Sequence, residues 1–140
     1  MALETLEGIQ TINGERIMHL YGADPEHANH ALIERDGGMR ESVTWEAYDN
    51  IRREYPICID HVNNSISHKI QNGPIKEVGK NGCQVTDMVA TSKIIYYKLN
   101  HKHPCPENVI TISGLEVALN AQALRTQNRE LRGVEGYNKD

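Results

Sequence analysis

Three arginines carry the most pointed chemistry in this sequence. Arg125, Arg129 and Arg132 stand four and three residues apart, which on a helix projects all three from one side. Guanidinium groups gathered in this way grip phosphate or carboxylate through paired N–H donors. Only Glu130 and Glu135 lie near them in the sequence to neutralise them. The same spacing suits a solvated helix end, where the helix dipole favours cations, so spacing alone leaves both readings standing. Lys76, Lys80 and the backbone of residues 79–82, at the start of a helix, offer a second place for an anion.

Other chemistries are less well supplied. His101, His103 and Cys105, with Cys83 added, hold nitrogen and sulfur donors. A structural zinc site has short-spaced ligand pairs on both halves, whereas here only one half is dense, so no metal is expected. No local signature couples a cysteine to a histidine, no carboxylate spacing marks an acid and a base, and no nucleotide-binding glycine pattern occurs. The expectation is a binding protein, not an enzyme, with no catalytic residues and no cofactor.

The elements that must carry these residues come from one modest chain. It has 140 residues, 39% hydrophobic and 5% aromatic, no Phe, and a net charge of -4. A binder of long nucleic acid would carry a basic face and a positive balance; a small nucleotide needs only a few placed cations. Three cysteines form no readable disulfide framework. The start of the sequence lacks a basic region and a long apolar run, and no stretch has the apolar length of a membrane span. A cytoplasmic protein is expected.

Residues 1–72 read as β-rich. Asn13-Gly14 marks a hairpin between Ile9–Ile12 and Glu15–Tyr21, with Ile17, His19 and Tyr21 on one face. Further strands are expected over 28–34, 57–62 and 65–71. Thr44 caps a short helix over 44–54 that Pro56 ends. Residues 73–136 read as two helices, 83–100 and 107–132, joined by a stiff loop with Pro104 and Pro106. Residues 137–140 read as a frayed tail. The fold class is therefore α+β: an N-terminal antiparallel β-sheet with a short helix, then a C-terminal antiparallel helical hairpin. Each long helix carries two apolar stripes. On the second helix they are Ile112, Leu115 and Leu119, and Ile110, Val117, Ala121 and Leu124 with Gly114 among them. One stripe closes a hairpin; a second needs another partner. That partner is the N-terminal sheet, another copy of the chain, or both.

The C-terminal half also carries a pattern. Gln71-Asn-Gly-Pro-Ile-Lys-Glu-Val-Gly79 and Asn81-Gly82 are followed by Cys105-Pro-Glu-Asn108, Leu115-Glu116, Ala118-Leu119, Arg125-Thr126, Arg129 and Arg132-Gly-Val-Glu-Gly136. Over about residues 70–136 this resembles the helical hairpin of phage Thoeris anti-defence and anti-CBASS cyclic nucleotide sponges. The resemblance implies sequestration, without cleavage, of a cyclic ADP-ribose isomer and of CBASS cyclic oligonucleotides, in the cytoplasm of a bacterial host. It implies a homo-oligomer, from a dimer to a hexamer, with ligand at subunit contacts. It places ligand contacts at Asn108, Arg125 and Arg129, and a stacking ring at Tyr97 or Tyr96. Tyr97 serves equally well as a packing residue. Pro106 and Gly114 stand where the family commonly has basic residues. The alternatives are an enzyme that degrades such a nucleotide, and an inhibitor that docks onto a host defence protein.

Overall fold

The computed structural model describes residues 2–138, which divide between residues 69 and 70 into two compact units. Lys139 and Asp140, the last residues of the expected tail, lie outside the described residues. The protein is α+β.

The first unit begins with a short 3-10 helix, Ala2–Leu6, and a tight hairpin of β1 (Thr11–Ile12) and β2 (Glu15–Ala23). Asn13 and Gly14 turn it with φ of 54° and 86°, the positive values a type I′ turn requires. Strands β3 (His30–Arg35) and β4 (Glu41–Thr44) follow, then helix α1 (Trp45–Arg52), β5 (Ile57–Asp60) and β6 (Ser65–His68). The order is β4-β3-β2-β5-β6, with β1 paired to β2. Every pair is antiparallel except β2 with β5, which run parallel, Ile17 opposite Ile57 and His19 opposite Ile59. The sheet is therefore mixed: α1 carries the chain across, as a parallel connection demands. Thr44 caps α1, its hydroxyl accepting from Ala47 N at 3.1 Å. Met18, Ile33 and Tyr55 are fully buried, as are Ile17, Ile57 and Ile59. Burial of this kind stabilises by roughly 1.5–3 kcal/mol per large side chain.

Strand β4 and the turn of helix α2 (Ile75–Val78) went unpredicted by the residue pattern. Glu41–Thr44 is four residues long and half polar, too short to show a period.

In the second unit α2 leads to α3 (Val85–Lys102) and α4 (Pro106–Leu131). The Asp87 carboxylate accepts from Gln84 N at 2.7 Å and fixes the start of α3. Asn100 Oδ1 accepts from Cys105 N at 3.1 Å across the connection, and Pro106 opens α4, where its missing N–H is harmless. Lys93 and Glu116, 3.3 Å apart, tie the two helices together. On α4 the stripe of Ile112, Leu115 and Leu119 is half-buried. The other stripe is exposed: Ile110 by 71%, Val117 by 68% and Leu124 by 59%. No residue of α4 is buried. Among the described residues no helix is long and apolar enough to cross a membrane.

Candidate functional site

A cavity of about 220 Å³ lies in the second unit, at the end of the hairpin where α3 begins and α4 finishes. The Lys93–Glu116 register brings the start of α3 beside Arg125, and Gln84 and Arg125 line the cavity together. Gln71, Arg129, Glu135, Tyr137 and Asn138 complete the polar part of its wall.

The two arginines are placed differently. Arg125 is exposed and makes no hydrogen bond or ion pair with the described residues. Arg129 is only 11% exposed in its side chain. Its Nη2 donates to Val134 O at 3.0 Å and to Tyr137 O at 2.8 Å, and its Nε lies 3.3 Å from Glu135 Oε2. That carboxylate oxygen is buried and accepts no hydrogen bond from a described donor, so the ion pair is close but out of line. Arg129 thus folds residues 133–138 back onto the cavity. Tyr137, where the expected tail begins, packs here: its N donates to Val134 O at 3.1 Å, and Lys76 lies 5.6 Å from its ring centre. Arg132 is the C-cap of α4 and does not line the cavity, nor do Lys76 and Lys80. Two guanidinium groups against one carboxylate leave the wall cationic, which suits an anion.

The other expected contacts stand elsewhere. Asn108 is in the first turn of α4, its Nδ2 at 3.5 Å from His103 O. It is 17 residues from Arg125, about 26 Å along the helix at 1.5 Å per residue. Tyr97 meets His101 edge to face at 4.8 Å, and Tyr96 is its exposed neighbour, both on the second half of α3. Within one chain, then, Asn108, Tyr96 and Tyr97 lie toward one end of the hairpin and Arg125 and Arg129 toward the other. Cys83 and Cys105 are similarly split, one before α3 and one after it. No group of three His, Cys, Asp or Glu side chains able to hold a metal occurs among the described residues.

A second cluster lies in the first unit. The rings of His19 and His61 stack at 5.1 Å, those of His61 and Tyr21 at 4.7 Å, and Arg40 sits 3.7 Å above Tyr21. His19 Nε2 is 2.8 Å from Ile9 O, a pure acceptor, so this nitrogen carries the proton; Nδ1 then accepts from His61 Nε2 at 2.8 Å. Burial, and then His19 beside it, pushes His61 below the usual histidine range. Burial pushes the Cys58 thiol up, which makes it a poor nucleophile.

Sequence reasoning missed Gln71, Gln84 and Tyr137 as parts of a site. Gln71 stood in the recognised pattern without an assigned task, and a residue in a terminal segment carries no period that would mark it.

No family model matches the chain. It is 41% identical over 68 residues to a protein named Thoeris anti-defense 1 from Bacillus phage SBSphiJ7. The matched stretch covers 47% of this chain and 47% of that protein, so the chain matches about half the length of this relative.

Proposed function

We propose that the protein is a phage anti-defence sponge that binds a cyclic nucleotide immune signal, a cyclic ADP-ribose isomer, and releases it intact. The observation that carries this reading is the cationic cavity at Arg125 in a chain of net charge -4. The likeness to a phage Thoeris anti-defence protein supports the role. At about 220 Å³ the cavity takes a phosphate and part of a sugar, less than the 300–1,000 Å³ typical of whole small-molecule sites. It is half of a site.

A second copy supplies the other half. The exposed stripe of α4 is centred on Val117, with Ile110 seven residues before it and Leu124 seven after. A two-fold axis through Val117 sets Ile110 against Leu124 of the partner subunit. The same axis sets the first turn of α4, which carries Asn108, level with Arg125 of the partner subunit and removes the axial gap of about 26 Å. Asn108 stands on the Ile112 side of its helix, so the ligand meets it around that first turn. Gly114, with nothing within 4 Å of the place a Cβ would occupy, leaves room for close approach. In this arrangement Arg125 and Arg129 hold phosphate, Asn108 adds a polar contact and Tyr97 or Tyr96 stacks on the base. CBASS cyclic oligonucleotides are a second ligand class for the same assembly.

Calorimetric titration with cyclic ADP-ribose isomers, followed by heat release and chromatography of the nucleotide, tests this. Tight binding and an unchanged nucleotide are expected. A linear product would make the protein an enzyme; no binding, with capture of a host defence protein instead, would make it a docking inhibitor.

A further inference from the structure

The segment 71–82 closes on itself through two side chains. Gln71 Nε2 donates to Gly73 O at 3.1 Å and to Gly79 O at 2.8 Å, while its Oε1 accepts from Asn81 N at 2.8 Å and Gly82 N at 3.2 Å. All four hydrogen-bonding positions of one amide are thereby used inside one loop. Asn81 answers across it: its Oδ1 accepts from Asn72 N and its Nδ2 donates to Asn72 O, both at 2.8 Å. Gln71 N also donates to Cys83 O at 2.7 Å, where the loop meets α3. Gly73 turns with φ of 88°, and a Cβ there would meet Val78 Cγ2 at 2.9 Å. The loop is therefore specified residue by residue, a description that fits the Gln71–Gly82 pattern better than any ligand contact does.

The loop also reaches the cavity. Gln71, Gly73, Pro74 and Ile75 line it, and Lys76 N donates to Gly136 O at 2.9 Å, joining the loop to the turn that Arg129 folds back. Two walls of the cavity are thus held by two side chains, Gln71 from one side and Arg129 from the other, with one backbone hydrogen bond between them.

We propose that Gln71 and Asn81 are positioning residues for the Arg125 cavity: they freeze the 72–82 loop in the form that, through Lys76 and Gly136, fixes residues 133–138. This rests on the reading that the cavity holds the ligand. Neither residue needs to touch the nucleotide. An unlocked loop samples other forms, and affinity falls by the fraction of time the competent form is lost.

The test combines hydrogen exchange with titration on the full chain. In Gln71→Ala the amides of Asn81 and Gly82 lose their acceptor, and exchange over 72–82 and 133–138 is expected to rise tenfold or more. Affinity for a cyclic ADP-ribose isomer is expected to fall about tenfold, with helical circular dichroism unchanged. Gln71→Glu keeps the acceptor and loses the donors, so its exchange over 72–82 should fall between those of the parent and Gln71→Ala. Asn81→Ala, which leaves Gln71 in place, should loosen the loop through Asn72 and guards against a Gln71 variant that fails to fold. Unchanged exchange in both alanine variants overturns the lock. Faster exchange with parental affinity, while Arg125→Ala binds weakly, overturns the positioning role and leaves the site standing. Parental affinity in Arg125→Ala as well removes the site and the positioning role with it.

Discussion

Residues 1–69 and residues 70–138 use their apolar side chains in opposite ways. In the first, Leu6, Ile12, Ile17, Met18, Ile33, Tyr55, Ile57 and Ile59 have no more than 1% of their surface exposed. In the second, a 26-residue helix buries nothing, and α3 buries only Asp87, Ala90 and Thr91. Helices as long as these draw their stability from packing of an apolar face. The sheet unit buries its apolar side chains within itself, whereas α4 leaves Ile110, Val117 and Leu124 exposed, the stripe that the proposed second copy would cover. The contrast fits the proposed assembly, in which the second unit is completed by association and by ligand.

The largest effect should come from attacking that contrast at its centre. Val117→Glu puts a charge on the proposed two-fold axis. Light scattering should show the parent as an oligomer and the variant near the one-chain mass of 15.8 kDa, with ligand binding lost. A parent already at that mass removes the assembly. Next comes a pair of truncations. Ile33→Ala, in the closed core, should cost about 2–5 kcal/mol in chemical denaturation. Val85→Ala, 65% exposed on α3, should cost no more than about 0.5 kcal/mol. Equal costs would dissolve the distinction between the units.

Smaller again is the effect at the cavity. A charge-assisted hydrogen bond contributes roughly 1.5–3 kcal/mol, so Arg125→Ala should weaken nucleotide binding by about tenfold or more. Lys at 125 should restore only part, since an ammonium lacks the planar fork. Arg129→Ala should do two things that Arg125→Ala does not: free the 133–138 turn and raise its hydrogen exchange.

The smallest effect concerns acid. The Arg16 guanidinium and then the Tyr55 hydroxyl hydrogen-bond Asp36 and hold its carboxyl below the usual range. His61 is also held low, chiefly by burial. Both groups bind fewer protons folded than unfolded, so both contribute stability that is lost as pH falls. His61 acts below its unfolded value of about 6.5, and Asp36 below about 3.9. The melting temperature of the sheet unit should drop by a few degrees between about pH 7 and about pH 5. His61→Phe, which keeps a ring in the stack, should flatten that drop; an unchanged slope would mean that His61 is not its source.

Much of this was legible in the residues. The Asn13-Gly14 turn, the Thr44 cap, the proline-bounded connection and both long helices follow from local chemistry, and the second stripe at Ile110, Val117 and Leu124 is plain at helical spacing. Local signals do not report pairing direction, so the parallel β2–β5 contact stayed hidden although both strands were expected. The arginines were visible as a group, but their division was not: Arg125 faces the cavity unengaged by described residues, while Arg129 is held by carbonyls of a turn that lies beyond its own helix. The separation of Asn108 and Arg125, by contrast, was legible: 17 residues on one expected helix set them about 26 Å apart.

The central claim is that each site is shared between two copies, Arg125 from one and Asn108 from the other. Mixing Arg125→Ala chains with Asn108→Ala chains, under conditions that exchange subunits, tests it most directly. Each mixed pair then holds one site with both residues intact and one with neither, so random pairing restores about a quarter of the sites. Calorimetric titration of the mixture should recover parental affinity at about that stoichiometry, where neither variant alone shows it. A mixture that binds no better than its two components would contradict the shared site.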